Sequence, residues 1–441
     1  MIKRGIMLCL GLSGLCCSTN ACASVAYMEK AGQPPREYQE WLKDLQEEMH
    51  DKGISSATIE QAFAKNYYHP KHKVVEKDRN QAEFIMSSTE YLNRLVNRQR
   101  VEKGKQKYKE IRSHYQKVEK DYGVPLNYLV AFWGMETNYG QSFGNHEVIE
   151  ALTVLSYDNR RPQFFRNELY QALKIIDNGN ITVEGMEGSW AGAMGHFQFM
   201  PSTYNAYAVD YDKDGKIDIW NNYGDAIASA ANYLQSIGWK KGEPWGMEVT
   251  LPWNFDYTKS GREIKKSIKD WEKLGVRKAD GKKIGLNAAL KGSIIVPEGY
   301  KGQAYLVLDN FDKIMQWNKS ENYALGVSLL ADYVKSGKAW QARQNKSQKE
   351  KISNEDILEL QKFINRHKIA QVTEDGQLGS KTRTAIKKLQ KKAGFPADGY
   401  PSIRLINKIK NFDEKIGFSV PLQPQKPHRK PNKTRSEIKK K

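Results

Sequence analysis

Residues 38–333 show the hydrophobic periodicity of α-helices separated by loops. Between residues 242 and 310 the pattern changes, and two short runs, 248–251 and 293–296, are typical of β-strands. The helical pattern returns over residues 318–334. The sequence therefore predicts a mainly α fold with a small β-containing insert.

The C-terminal quarter of the sequence predicts a separate organisation. Residues 336–353 are polar and rich in Lys and Gln, as linkers are, and a compact helical unit follows over residues 354–410. The last segment, 421–441, carries eight basic residues, four prolines and one acid. We expect this tail to be disordered and to have a loose affinity for polyanions, with a dedicated binding arm as the alternative.

Charge and composition narrow the class of protein. The 441 residues carry a net charge of +19, with 39% hydrophobic and 11% aromatic residues. A mean hydropathy of -0.71 argues against a polytopic membrane protein. The basic excess indicates a polyanionic neighbour, which is nucleic acid, anionic lipid or an acidic cell-wall polymer.

The N-terminus has the pattern of a secretory signal over residues 1–23. Lys3 and Arg4 precede a short apolar run, and Ala21-Cys22-Ala23 offers a cleavage site. A membrane anchor is the weaker alternative because the run falls short of about 20 apolar residues. All four cysteines lie in this leader, so the exported chain would contain no disulfides. Export predicts a periplasmic protein; a lipoprotein start with outer-membrane association is poorly supported by the residues before Cys16 and Cys22.

Glu136 is the candidate catalytic residue. It closes a predicted helix, residues 126–136, on which Leu129, Phe132, Trp133 and Glu136 share one face. A carboxylate facing the protein loses hydration, so its pKa should rise toward that of a general acid for glycosidic cleavage. The alternative is a structural Glu paired with Arg160 or Arg161.

The segment 189–201, SWAGAMGHFQFMP, is rich in glycine, amide and aromatic groups. Small residues let a backbone approach a ligand closely, and Gln198 can both donate and accept hydrogen bonds, as a sugar amide or hydroxyl requires. Taken alone, such a segment more often serves simple packing.

Three ordered motifs, at residues 136–140, 157–161 and 189–201, resemble the lytic murein transglycosylase B family, glycoside hydrolase family 103. The resemblance covers residues 30–335. It implies a lysozyme-like helical catalytic domain that cleaves the β-1,4 bond between N-acetylmuramic acid and N-acetylglucosamine without water, leaving 1,6-anhydromuramyl ends. It also implies that Glu136 acts as acid and then base, and that saccharide or active-site contacts come from Ser189, Gln198, Arg160, Arg161, Tyr233 and Tyr323.

Two other functions remain open on the residues alone. A lysozyme-type hydrolase needs a second carboxylate about 5 to 9.5 Å from the first, for which Asp158 and Glu147 are nominal candidates. A non-catalytic wall-binding protein is the other, although the presence of Glu136 together with Gln198 argues against it. Nucleic-acid binding is excluded by the leader and by the lack of any matching motif.

Residues 210–218 follow the D-x-D-x-D-G pattern of a calcium-binding loop. Asp210, Asp212, Asp214 and Lys216 would supply ligands. Position twelve is Asn221 instead of Glu, so we expect Asp225 to close the site, in a lengthened loop like that of the family. A structural calcium ion is the predicted cofactor, and none is needed for the chemistry. The run from His146 to Glu150 lacks the second His of a zinc motif.

Residues 354–410 resemble the three-helix peptidoglycan-binding domain. The pattern D-G-x-x-G-x-x-T occurs once, from Asp375 to Thr382, and a second Asp-Gly turn follows at Asp398. The resemblance implies that this module binds glycan strands of the wall; a helical domain that docks to protein is the alternative. We expect the whole chain to act as a monomer.

Overall fold

The computed structural model describes residues 35–65, 67–68, 73–79, 87–338 and 352–412. The predicted leader, most of the linker and the basic tail lie outside these residues, as do the four cysteines. Backbone proximity divides the chain into two compact units. Of the described residues, the first contains 35–65, 67–68, 73–79, 91–243 and 310–338, and the second contains 87–90, 244–309 and 352–412.

Helices dominate the described residues, and the prediction of a mainly α fold is confirmed. In chain order they are α1 Arg36–Asp51, α2 Ser56–Ala62, α3 Lys73–Arg79, α4 Ser88–Leu95, α5 Arg98–Tyr122, α6 Leu126–Thr137, α7 Val148–Tyr157, α8 Pro162–Asp177, α9 Pro201–Tyr207, α10 Tyr223–Ser236, α11 Ile268–Lys273, α12 Asp309–Trp317, α13 Glu321–Ser336, α14 Asn354–Arg366, α15 Ser380–Ala393 and α16 Ile403–Lys410. No helix of the described ranges is both long and apolar enough to cross a bilayer.

The first unit is built around α6. All twelve residues of this helix are buried, and it packs against α5 and α13. A helix that is apolar all round belongs in the centre of a domain, not at its surface. The prediction that the side chain of Glu136 faces the protein is therefore right. The assumption behind it, that only one face of this helix is covered, is wrong, because every face of α6 is buried.

The strands form two antiparallel sheets. A two-stranded ribbon in the first unit pairs β1 His146–Glu147 with β2 Glu187–Gly188. The insert of the second unit contains β3 Gly246–Thr250, β4 Lys266–Ser267, β5 Arg277–Lys278, β6 Lys291–Ile295 and β7 Ala304–Val307, in the order β4-β6-β7-β3-β5. The two strands expected from the sequence correspond to β3 and β6. The strand between them in the sheet, β7, was not predicted.

The insert and the C-terminal module each have an apolar core. Trp271, Ile284, Ile294 and Leu306 lie in the core of the insert and are fully buried. In the module, α14, α15 and α16 enclose Leu360, Ile364, Ile386, Leu389 and Leu405. Cores of this kind form without disulfides because the apolar area removed from water supplies the stabilisation.

Candidate active site

Glu136 lies in the last turn of α6, where the helix ends abruptly. Asn138 and Tyr139 adopt left-handed backbone conformations, with φ of 51° and 62°, so the chain turns away directly after the carboxylate. Only 4% of Glu136 is exposed. The end of a buried helix thus places a carboxyl group in the interior of the first unit with a small opening to solvent.

Two donors from distant segments hold one oxygen of this carboxyl group. Trp317 Nε1, at the end of α12, donates to Glu136 Oε1 over 3.0 Å, and the Tyr323 hydroxyl, from α13, donates to the same oxygen. Burial raises the pKa of Glu136 from 4.5 to about 7, although both donors act in the opposite direction. Loss of hydration outweighs the two hydrogen bonds, so a fraction of the group is protonated near neutral pH.

The second oxygen, Oε2, is available to a ligand. Among the described residues it accepts no hydrogen bond, and it is not one of the fully buried atoms that lack a partner. The exposed fraction of Glu136 therefore includes Oε2. One oxygen is fixed by the protein and the other can carry a proton to or from a substrate.

Aromatic rings surround the carboxyl group. The ring of Trp317 lies 4.4 Å from that of Phe132 and 5.2 Å from that of Tyr233, between centroids. Tyr233 in turn packs against Phe199 and Tyr207. Trp317 and Tyr233 are both partly exposed, whereas Phe132 and Phe199 are buried. Partly exposed rings of this kind offer flat apolar faces beside the proton donor.

Gln198 lies in the loop between β2 and α9, in a left-handed conformation with φ of 51°. Its Nε2 donates to the carbonyl oxygens of Phe143, over 3.0 Å, and Gly195, over 3.2 Å. Its Oε1 accepts no hydrogen bond from any residue that the structure describes. The strained backbone and the two donated bonds fix the amide and leave its oxygen for a ligand.

Ser189 begins the same loop and is partly exposed. Its Oγ accepts a hydrogen bond from the Ala193 N–H over 3.0 Å. The hydroxyl hydrogen is therefore free to donate to a ligand. In both Ser189 and Gln198, one polar group of the side chain forms hydrogen bonds that hold the loop, and the other is available to a ligand.

Arg160 and Arg161 do not pair with Glu136. Arg160 Nη1 lies 2.7 Å from Asp78 Oδ2, and Arg161 Nη2 contacts Asp78 Oδ1. Asp78, on α3, is 2% exposed, while the side chains of Arg160 and Arg161 are 43% and 25% exposed. The alternative of a structural Glu136–Arg ion pair is wrong, because the arginines neutralise a different carboxylate.

The other candidate acids have partners of their own. Glu147 forms a surface ion pair with Lys65, at 2.8 Å, and Asp158 Oδ2 accepts the backbone N–H of Arg160. Neither residue shares a hydrogen bond with Glu136. In the described segments, groups of three or more His, Cys, Asp or Glu that are close enough to hold a metal occur only at Asp210, Asp212 and Asp214.

These three carboxylates offer oxygen atoms within 4.8 Å of one another. Gly215 follows with φ of 90°, which gives the sharp turn that such loops require. An all-oxygen set on a turn of this kind suits calcium. Asp225 does not join the cluster: it is fully buried, and its two oxygens accept the N–H groups of Tyr211 and Asp218. Each oxygen retains a second lone pair.

Comparison with known proteins assigns the chain to a family. The model of the family described as Transglycosylase SLT domain matches residues 37–332, and that of the Putative peptidoglycan binding domain matches residues 353–409. The chain belongs to the transglycosylase SLT domain family. The predicted resemblance, and the lysozyme-like helical fold with a C-terminal peptidoglycan-binding module that it implied, are confirmed.

Particular relatives are known. The chain is 39% identical to SltB3 from Pseudomonas aeruginosa, solved in complex with NAG-anhNAM-pentapeptide, over 86% of this chain and 100% of that one, with a TM-score of 0.81. It is 35% identical to the membrane-bound lytic murein transglycosylase B of Escherichia coli K12 over 219 residues. That match spans 48% of this chain and 58% of the curated relative. Slt35 from Escherichia coli, solved with calcium, is 26% identical over 67% of this chain and 93% of that one, with a TM-score of 0.58.

Two residues of the site were missed from the sequence. Trp317 belongs to no motif, and nothing in its spacing links it to Glu136, which lies 181 residues earlier. Asp78 lies in a charged amphipathic region, and nothing in the sequence distinguishes it from the other acidic residues there. Only burial and contact distinguish these two side chains from the other tryptophans and aspartates.

Proposed function

We propose that the protein is a lytic transglycosylase that cleaves the β-1,4 bond between N-acetylmuramic acid and N-acetylglucosamine of peptidoglycan, leaving 1,6-anhydromuramyl ends. The observation that carries this proposal is Glu136, a buried carboxyl group with a pKa near neutrality, one anchored oxygen and one open oxygen. Its role in the cell would be remodelling and turnover of the wall. Membership in the family and the likeness to SltB3 support the same assignment.

The reaction needs one carboxyl group that acts twice. Protonated Glu136 donates its proton from Oε2 to the bridging oxygen as the bond from that oxygen to C1 of the muramyl residue breaks. The 2-acetamido oxygen of the substrate stabilises the positive charge that develops at C1. The carboxylate then takes the proton of the C6 hydroxyl while that oxygen bonds to C1. No water is consumed, and Glu136 ends in its starting state.

Tyr323 and Trp317 support both steps. Their bonds to Oε1 stabilise the carboxylate that exists between the two proton transfers, while burial keeps the acid form accessible at the start. Holding the C6 hydroxyl beside C1 gives an effective molarity that free water lacks. We assign Tyr323 and Trp317 to this role because they touch the carboxyl group directly.

The remaining predicted residues are proposed to bind the glycan. Gln198 presents Oε1 to a hydroxyl or acetamido N–H, and Ser189 offers its hydroxyl hydrogen. The partly exposed ring of Tyr233 provides an apolar face for a sugar. Arg160 and Arg161, half-neutralised by Asp78, retain guanidinium N–H groups toward solvent and suit anionic groups on the substrate.

A lysozyme-type hydrolase is the second candidate, and it predicts a different product. It requires a second acid to activate water or to act as a nucleophile. The sequence candidates for that acid, Glu147 and Asp158, are engaged with Lys65 and with a backbone N–H. A non-catalytic wall-binding protein would have no need of a proton donor with a raised pKa.

We propose that calcium binds the loop at residues 210–225 as a structural ion. Asp210, Asp212 and Asp214 would hold it with side-chain oxygens, and Lys216 with its backbone carbonyl. Asp225, which already holds the N–H groups on both arms of the loop, would close the site with its remaining lone pairs. The ion would rigidify the loop and take no part in bond cleavage.

We further propose that the chain is exported to the periplasm by the signal at residues 1–23 and acts there as a monomer. Residues 30–335 would form the catalytic domain, joined by a linker at 336–353 to a wall-binding module at 354–410. The basic tail at 421–441 would add affinity for polyanions. Association with the outer membrane would require a lipid on Cys16 or Cys22.

The products of digestion test the proposal. Purified wall is digested with the protein and the fragments are weighed by mass spectrometry. Anhydromuramyl ends are one water, about 18 Da, lighter than hydrolysed ends. The proposal expects the lighter species, and expects it to disappear with Glu136→Gln. Hydrolysed ends would identify a lysozyme-type enzyme, and undigested wall would identify a binding protein.

A further inference from the structure

The C-terminal module contains two copies of one helix-and-turn unit. Helices α14 and α15 share an Ile-x-x-Leu-Gln pattern, in which every named position is buried: Ile357, Leu360 and Gln361 in the first, Ile386, Leu389 and Gln390 in the second. Each helix leads to an Asp-Gly turn, at Asp375 and at Asp398. Each turn is followed at the same distance by the start of a helix, α15 and α16.

The glutamine of each helix holds its turn through matching hydrogen bonds. Gln361 Oε1 accepts the N–H of Gly376 over 2.8 Å, and its Nε2 donates to Asp375 Oδ1 over 2.9 Å. Gln390 Oε1 accepts the N–H of Gly399 over 2.8 Å, and its Nε2 donates to Asp398 Oδ1 over 2.6 Å. The two turns are therefore equivalent in structure as well as in sequence.

The surroundings of the two glycines match as well. Gly376 and Gly399 have φ of 68° and 78°. A Cβ atom on either glycine would lie 2.9 Å from a backbone carbonyl oxygen in the preceding helix, that of Asn354 or Arg383. In both turns Oδ1 of the aspartate also accepts the N–H two residues later, at Gln377 or Tyr400. Oδ1 is thus used internally in each copy.

The second oxygen, Oδ2, distinguishes the copies. In the second turn Asp398 Oδ2 accepts the backbone N–H of Tyr300, from the insert, over 2.8 Å, and Asp398 is 6% exposed. In the first turn Asp375 is exposed, and its Oδ2 accepts no hydrogen bond from the residues described. One copy is occupied by a peptide segment of the protein itself, and the other presents the same acceptor to solvent.

The segment that occupies the second turn has a particular backbone. Gly299, just before the donating N–H, has φ of 73°, and a Cβ atom in the L configuration would lie 2.6 Å from Asp398 Oδ2. Glycine avoids this contact. A D-amino acid also avoids it, because it places hydrogen where an L-residue has Cβ, and it favours positive φ. The contact therefore selects glycine or a D-residue before the donor.

We propose that the turn at Asp375 and Gly376 is a peptide-binding site, in which Asp375 Oδ2 accepts the backbone N–H that follows a glycine or a D-amino acid. The Asp398–Tyr300 contact is the internal template for this interaction. The inference rests on the proposed function only in naming the source of the ligand. A protein that acts on the bacterial cell wall meets peptides that contain D-amino acids. The module would then recognise the peptide of the wall and not its sugar chain.

A pair of enantiomeric peptides tests the site without any variant of the turn. The full chain with Glu136→Gln, which prevents turnover, is titrated with N-acetyl-D-Ala-D-Ala and with N-acetyl-L-Ala-L-Ala, and the amide signals of Gly376 and Gln377 are followed by NMR. We expect the D-peptide to shift both signals and to bind at least about tenfold more tightly than the L-peptide, the scale of one hydrogen bond to a charged group. Equal binding of the two, or binding of neither, overturns the proposal.

A matched pair of variants locates the contact. Asp375→Asn keeps an oxygen for the internal bonds and places an NH₂ group where Oδ2 accepted, so D-peptide affinity should fall about tenfold or more. Asp280→Asn is the control: Asp280 begins an Asp-Gly turn in the insert, accepts the Lys282 N–H in the same way and is exposed. Unchanged affinity in Asp375→Asn, with the module folded, overturns the proposal; if that variant unfolds, the enantiomer comparison decides.

This test is independent of cleavage. Peptide binding is measured on a protein that cannot turn over, whereas the products of wall digestion are measured on the active chain. If anhydromuramyl ends are absent and the D-peptide still binds at Asp375, the proposed reaction fails and the site stands. If the ends are present and the enantiomers bind equally, the site fails and the reaction stands.

Discussion

Tyr323 donates its hydroxyl hydrogen to Oε1 of Glu136 from a helix that lies 187 residues further along the chain. The contact joins two buried side chains, and burial raises the pKa of both. Tyr323 therefore keeps its proton throughout the pH range in which Glu136 titrates. It acts as a permanent donor that stabilises the carboxylate and has no effect of its own on the charge of the site.

Loss of this donor should change the pH dependence of the reaction. In Tyr323→Phe the carboxylate of Glu136 loses one stabilising bond, so the pKa of Glu136 rises further. A general acid works in its protonated form, so the basic limb of the kcat/KM profile should move to higher pH, while the maximum falls roughly 10- to 100-fold. Tyr170→Phe, at a surface tyrosine bonded to the Lys52 carbonyl, is the control. A lower rate with an unmoved basic limb would contradict this role.

Trp317 should contribute through both its N–H group and its ring. Trp317→Phe removes the donor to Glu136 but keeps an aromatic face against Phe132 and Tyr233. We expect it to lower kcat roughly tenfold with little change in KM, whereas Trp317→Ala should also raise KM. Steady-state kinetics on a soluble muropeptide substrate measure both. Equal kinetic constants for the two variants would contradict a contribution of the Trp317 ring to substrate binding.

Glu136 should weaken the fold at the pH where it works. Its pKa in the folded protein, about 7, lies above its ordinary 4.5, so folding favours the protonated form. The associated stability is complete below pH 4.5 and is lost as the pH rises to about 7. In urea denaturation at pH 8, the free energy of unfolding of Glu136→Gln should therefore exceed that of the parent protein by about 3 kcal/mol. At pH 4.5 the two free energies should differ little. A difference that does not vary with pH would contradict the raised pKa.

Asp78 should hold both arginines of the site. Asp78→Asn leaves Arg160 and Arg161 without their shared carboxylate, and we expect a loss of about 1–3 kcal/mol, moderated by the exposure of the arginines. KM for wall fragments should rise because the guanidinium groups are no longer fixed. Glu147→Gln, which breaks an exposed pair with Lys65, should change stability by less than about 0.5 kcal/mol. Similar effects of the two variants on stability would show that Asp78 has no special role.

Calcium should stabilise the first unit. Because an ion that binds only the folded state adds stability that grows with the logarithm of its concentration above Kd, chelation with EDTA should lower Tm by several degrees, and added calcium should restore it. Asp214→Asn should abolish the response by removing one of the clustered carboxylates. A melting temperature that is unaffected by EDTA and by added calcium would show that the loop does not bind the ion under these conditions.

The helical character of the chain was predictable because periodicity is a local property. The expected helix at residues 126–136 corresponds to α6, which begins directly after Pro125. The extent of burial was not predictable in the same way. A helix with one apolar face and a helix covered on every side differ in what packs on them, and α13, one of the two helices that pack against α6, comes from a distant part of the sequence.

The residues of the candidate site likewise divide into those that local sequence indicates and those that only tertiary contacts identify. The sequence offered Glu136 and Gln198 as candidates because each lies in a dense local motif. Trp317 could not be found from the sequence, and Tyr323 was expected only through the family resemblance, since both side chains approach Glu136 only after the chain between them has folded. The arginine pair shows the converse: the sequence offered Glu136 as a partner for Arg160 or Arg161, whereas in the folded protein both contact Asp78.

By itself, the sequence determined the helical class and the order of the segments and singled out Glu136 as the candidate acid, because spacing and residue chemistry are written along the chain. Tertiary structure alone decided which oxygen of Glu136 is held, which carboxylate the arginines neutralise, and which of two equivalent Asp-Gly turns remains exposed. Those outcomes depend on the hydration that each group loses and on the packing of side chains that lie far apart in the chain, and no local pattern records either of them.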